Sequence, residues 1–194
     1  MKIVLFAALL LGCCMLVRGQ DTHFGLKAGL NISSLAEDPG ADYDAKAGFH
    51  IGALAHVHLS PHFAVQPEVV FSTQGGKDRD VKWDINYINV PVLIQYMAGN
   101  GFRLETGPQL GFAVSSKVEN GNVEVDNDSY VKTFDFSWAF GGSYIGAAGL
   151  GVDARFNLGI TNIYEPEFPE VRNRVFQVGI FYQFMNTTMH GRRR

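Results

Sequence analysis

Cysteine is almost absent from the chain, and its two residues, Cys13 and Cys14, both stand among the first 19. Those residues, MKIVLFAALLLGCCMLVRG, place Lys2 ahead of an apolar run from Ile3 to Val17 and close on the small Gly19. That is the layout of a cleavable secretory signal. Cleavage near Gly19 leaves a mature chain with no cysteine, which excludes a disulfide framework in the oxidising compartment the signal leads to. Leu10-Leu11-Gly12-Cys13 also matches a lipobox, the alternative being a chain acylated at Cys13. The apolar run falls short of the roughly 20 residues that a transmembrane helix needs. No long helical period follows it. An excess of positive charge is missing too. Without Lys2 and Arg18 the basic residues fall from 16 to 14 against 19 acidic ones, a formal charge of −5. This argues against nucleic acid as a partner.

What the chain has instead is alternation with a period of two. In Asn86–Ser115, Ile88, Val90, Val92, Ile94 and Tyr96 share one face of an extended segment, and Tyr87, Asn89, Pro91, Leu93 and Gln95 share the other. After Ala98-Gly99-Asn100-Gly101 the pattern resumes, with Phe102, Leu104, Thr106, Pro108, Leu110, Phe112 and Val114 opposite Arg103, Glu105, Gly107, Gln109, Gly111, Ala113 and Ser115. Side chains alternate across a strand, so this is a two-faced hairpin. The unit recurs along 20–184. Further strands are predicted over His23–Ser33, about 45–59, about 63–73, from Phe134, from Leu150 and from Phe176, giving eight in all.

The connections between them run long, short, long, short, long, short, long. The long ones are Ser34–Asp44, Gly75–Asp84, Ser116–Val131 and Thr161–Arg172. Short turns on one side and longer loops on the other are the pattern of an outer-membrane barrel. The fold class predicted is all-β, an eight-stranded antiparallel up-and-down transmembrane β-barrel spanning 20–184. A signal peptide (1–19) precedes it and a polar basic tail (185–194) follows. The second face is rich in Gly, Ala, Ser and Asn, which suits a crowded lumen better than a solvated exterior. Lys27, Lys46, Arg103 and Arg155 balance Glu68, Glu105, Asp135 and Asp153 there. Phe24, Phe63, Tyr96, Phe102, Tyr182 and Phe184 are expected at the periplasmic rim, with Phe49, Phe71, Phe112, Phe134 and Phe176 toward the other. Pro67, Pro91 and Pro108 lie within strands, each without a backbone donor, so bulges or distorted pairing are expected there.

Five segments carry a family resemblance: Phe24–Leu35 (FGLKAGLNISSL), Gln66–Gly76 (QPEVVFSTQGG), Asn86–Pro91 (NYINVP), Glu105–Gly111 (ETGPQLG) and Gly151–Ile163 (GVDARFNLGITNI). Together they resemble the PorT-like outer-membrane β-barrel family of Gram-negative bacteria. The resemblance implies an eight-stranded-type barrel in the outer membrane and little about activity. The aromatic last strand also resembles the signal read by the barrel assembly machinery, although Met185–Arg194 follow Phe184.

An eight-stranded barrel is just wide enough inside for side chains to fill it, so the lumen charges read as a salt-bridged plug holding the wall together. His50, His56 and His58 fall on the lumen face, with His62 in the next turn. His56 and His58 have the i, i+2 spacing that allows a shared metal, or one of them a general base. Glu124, Asp126, Asn127 and Asp128 offer hard oxygen ligands but match no EF-hand spacing. The bland readings are preferred: hydrogen-bonded lumen histidines, a solvated acidic loop and a disordered Arg192–Arg194 tail. No catalytic residue, cofactor or metal is expected. The partners expected are outer-membrane lipid and the assembly machinery, with recognition in the long loops. A small-solute channel, a lipid-modifying barrel enzyme and a soluble periplasmic ligand-binding barrel remain the rivals.

Overall fold

The computed structural model describes residues 22–38, 41–42, 44–78, 81–120, 123–126, 132–163 and 170–184. The signal and lipobox readings, Asn127, Asp128 and the 185–194 tail lie outside them. Ten strands run in chain order: β1 (Thr22–Asp38), β2 (Ala41–Asp42), β3 (Lys46–His58), β4 (Phe63–Asp78), β5 (Val81–Met97), β6 (Phe102–Asn120), β7 (Val123–Asp126), β8 (Phe134–Ile145), β9 (Leu150–Gly159) and β10 (Glu170–Gln183). Eight of them form the wall, each antiparallel to its neighbour in sequence order, and β1 pairs with β10 from Gly25↔Gln183 to Asp38↔Glu170 to close it. Closure matters because a membrane offers no partner for an unpaired sheet edge. The short β2 and β7 are flaps on β1 and β6.

The apolar face points outward. Phe24, Leu26, Leu30 and Ile32 on β1 are all more than half exposed, while Lys27, Asn31 and Ser33 between them are buried. The same alternation holds on β9, where Leu150, Val152, Phe156 and Leu158 face out and Asp153, Arg155 and Asn157 face in. A soluble barrel would show the reverse. Both aromatic rows are present. Phe63 packs edge-on to Tyr96 and Tyr182 to Phe184 at one rim, and Phe49 meets Phe71 and Phe112 meets Phe134 at the other. Trp138 faces out between them, and its indole N–H is satisfied by Thr106 Oγ1 at 2.8 Å. That hydroxyl in turn donates to the Ala139 carbonyl, so neither of these two donors is left bare toward lipid.

Three periplasmic turns join β3–β4, β5–β6 and β8–β9. Gly99, Gly101 and Gly149 hold positive φ there, and a side chain at Gly101 would drive into the Ile145 carbonyl. The opposite connections are tighter than the sequence suggests. Gly75–Asp84, read as a loop, is mostly strand: β4 and β5 stay paired up to Asp78↔Val81. β5 has 17 residues and β6 has 19, against the roughly 9–11 that cross a bilayer, so these strands stand above the membrane. Polar strand residues beyond the aromatic row carry no apolar alternation, and that is why they read as loop.

The prolines interrupt the ladder without shifting it. Pairing lapses between Leu54↔Glu68 and Val57↔Val65, between Pro67↔Val92 and Val70↔Asn89, and between Pro91↔Gln109 and Ile94↔Thr106. The residues that would pair across those gaps are Pro67 with Ala55, Pro91 with Glu68 and Pro108 with Val92. Each gap thus holds a residue lacking an N–H. The one shift in register between β5 and β6 lies elsewhere: Tyr87 pairs with Ala113 but Asn86 with Ser115, leaving Val114 as an extra residue. Beyond this bulge the faces of β6 swap. Ser116 is buried and Ser115 is only half so, which corrects the lumen assignment of Ser115.

Candidate functional site

Buried side chains occupy the lumen at successive heights, and its chemistry changes with height. At its centre Arg155, 2% exposed, lies on β9 facing β4 and β6. Its Nη1 and Nη2 donate to the two Glu68 oxygens at 3.0 and 2.9 Å, and its Nε and Nη2 donate to Glu105 Oε1 at 3.0 and 2.8 Å. Lys27 lies 3.4 Å from Glu68 and 3.3 Å from Asp153. Gln66 donates to Glu68 and Gln95 to Glu105, each at 2.8 Å. Small neighbours make the room. A Cβ at Gly141 would press on the Arg155 backbone, and one at Gly29 or Gly179 on the His50 ring.

Above this cluster the partners are neutral. Asn31 accepts from His50 Nδ1 at 2.8 Å and from Gln177 Nε2 at 2.9 Å, and donates to Ser72 Oγ at 2.9 Å. Because Asn31 Oδ1 can only accept, the His50 proton is assigned to Nδ1. Asn157 donates to Gln177 at 2.9 Å, Gln74 to Ser72 at 2.8 Å, and Asn173 to Gln74. Higher still, Leu35, Ile85, Tyr87, Ile163 and Val171 form an apolar cluster, with Trp83 and Ala113 packed against it. It caps the lumen at the extracellular end.

Of the charges predicted to face inward, five form the central cluster. Lys46 instead pairs with Asp84 at the upper rim, and Asp135 accepts from Thr161 at 2.6 Å. Arg103 stands lower, reaching His56 Nδ1 at 3.4 Å and Gln183 Oε1 at 3.2 Å.

The histidines separate. His50 belongs to the Asn31 network, and His62 stacks on Tyr96 outside. His56 and His58 stay together with ring centroids 4.6 Å apart, and His23 of β1 joins them at 5.7 Å from His58. Sequence reading missed His23, because only the register His23↔His56 brings it there. It also missed the apolar cap, which draws Leu35, Ile163 and Val171 from stretches read as loops. Glu124 and Asp126 lie on β7, opposite Glu119 and Lys117. Among the described residues no three His, Cys, Asp or Glu side chains are gathered as a metal would need.

Residues 18–165 match the family description "Outer membrane protein beta-barrel domain". The chain belongs to that family. It is an outer-membrane protein, as the outward apolar belt requires. Among solved structures it is similar to Neisserial surface protein A, with a TM-score of 0.62 at 15% identity, covering 83% of this chain and 97% of that one. It is also similar to Ail, the attachment invasion locus protein of Yersinia pestis, with a TM-score of 0.54 at 15% identity, covering 84% and 99%. At that identity the likeness is one of fold. A search of curated proteins finds no match by sequence.

Proposed function

We propose that this outer-membrane barrel is non-conducting and non-enzymatic, with a structural wall and recognition chemistry in its four long extracellular connections. The observation that carries this reading is the filled lumen. The ion-paired cluster around Arg155, the amide network around Asn31 and the apolar cap lie in series along the barrel axis. Water or solute crossing it would have to break buried charge pairs, which costs several kcal/mol per pair. In planar bilayers the purified barrel is expected to leave the membrane silent. Stable, reproducible conductance steps would overturn the reading.

Three of the four long connections are acidic, and the second, Gly75–Asp84, is charge-balanced. Glu37, Asp38, Asp42 and Asp44 lie in the first, Glu119, Glu124, Asp126 and Asp128 in the third, and Glu165, Glu167 and Glu170 in the fourth. Ail has been solved with the heparin analogue sucrose octasulfate, a polyanion. The charge here favours a basic partner surface instead. Within the family, NYINVP and ETGPQLG support the PorT-like branch. The aromatic belt supports outer-membrane lipid as the wall's partner, and the aromatic last strand supports delivery by the barrel assembly machinery.

A further inference from the structure

Lys27, Lys46, Arg103 and Arg155 are the buried basic side chains of the described residues, and three of them touch a carboxylate. Arg103 does not. Glu105, two residues along the same face, has Oε1 committed to Arg155 and Oε2 to Gln95. Arg103 is 7% exposed, and what it meets instead is neutral: His56 Nδ1 and Gln183 Oε1. A buried guanidinium without an anion in contact is costly, because its solvation has been removed and not replaced by opposite charge.

The surroundings are those of an anion receptor. Guanidinium nitrogens only donate, so His56 Nδ1 accepts and the His56 proton sits on Nε2. Gln183 Oε1 accepts from Arg103, which leaves its amide nitrogen as a donor, and that atom is buried with no hydrogen-bond partner. Half-buried His23 and His58 line the mouth beside them. Ser143 faces Arg103 from β8, Gln66 and Gln95 lie beside His56, and Met97 pairs with Arg103 from β5. None of these is a carboxylate. The three periplasmic turns carry no Asp, Glu, Lys or Arg either, so among the described residues no turn side chain competes for Arg103.

The geometry points to an oxyanion site of the phosphate class at the periplasmic mouth, with Arg103 as its charged anchor, Gln183 as a neutral donor and His23 and His58 as the rim. A divalent metal does not suit the place, since a guanidinium lies 3.4 Å from the imidazole that would ligate it. The charge-assisted hydrogen bonds of a guanidinium to an oxyanion are the strong ones, so removing Arg103 removes most of the affinity.

The test uses the folded barrel in maltoside micelles, which contain no phosphate, with the imidazole resonances followed by NMR as sodium phosphate is added. Saturable shifts of His23 and His58 are expected, while sodium chloride at matched ionic strength gives none and the His62 signal stays still. Arg103→Gln weakens the apparent affinity by about tenfold or more, and His58→Gln, at the half-buried rim, weakens it less. Migration on a detergent gel that differs between unboiled and boiled samples shows that each variant is folded. Shifts that merely track ionic strength overturn the site. So does an unchanged phosphate titration in Arg103→Gln and His58→Gln. Shifts produced by zinc and not by phosphate overturn it in favour of a metal.

Discussion

In the central layer of the lumen Arg155 sits between Glu68 and Glu105, and Lys27 between Glu68 and Asp153, all at or below 6% exposure. In the upper half the same crowded space holds amides, hydroxyls and one histidine, and then aliphatic and aromatic side chains, with the Lys46–Asp84 pair and Asp135 toward the rim. Charge is used where the wall on every side faces lipid and no water reaches it. Such pairs are demanding: satisfied, they fix one arrangement, and a missing partner strands a charge. Apolar packing is used toward the extracellular end, where water presses in and where Leu35, Ile163 and Val171 can shed it. The charged layer therefore holds one arrangement of side chains across the tube, and the apolar layer closes it.

The contrast is open to test by removing one member of each layer. Arg155→Leu leaves Glu105 buried without a cation and Glu68 with Lys27 alone, and is expected to cost about 3–5 kcal/mol of stability, read by urea unfolding in lipid vesicles. Adding Glu68→Gln and Glu105→Gln to it should restore most of the loss. If the triple variant is no better than the single, the cluster is not held by charge pairing. Leu35→Ala in the cap removes packing only, with an expected cost of about 2–4 kcal/mol and no rescue by a polar change elsewhere.

Asn31→Ala strands His50 Nδ1 and Gln177 Nε2 in the neutral layer, for about 1–3 kcal/mol in the same assay. The smallest effect is expected for Pro67→Val, below about 1 kcal/mol, since it supplies a donor facing Ala55 without changing the lumen. Amide exchange at position 67 decides it. A protected amide means that proline alone opened the β3–β4 ladder, and a freely exchanging one means that the wall is splayed there by its contents.

Much of this was legible from the chain. The period-two alternation named the strands, and the order of long and short connections gave the meander. The composition of the second face told inside from outside, because side-chain direction in a strand is fixed by parity alone. Parity also placed Lys27, Glu68, Glu105, Asp153 and Arg155 in the lumen. It failed at Ser115, where a bulge without any sequence mark reverses it.

Partner choice was not legible. Arg155 and Glu68 are 87 residues apart, and nothing in either segment selects the other over Lys46 or Asp135. That choice depends on the height at which each strand sits in the closed barrel, which the β1–β10 register sets. The gathering of His23 with His56, His58 and Arg103 has the same origin. The sequence by itself determined the barrel, its membrane face and the residues turned inward, since these follow from local alternation. Only the tertiary structure decided which charges meet, where the lumen is capped and which guanidinium is left without a carboxylate, because those depend on distances across the tube.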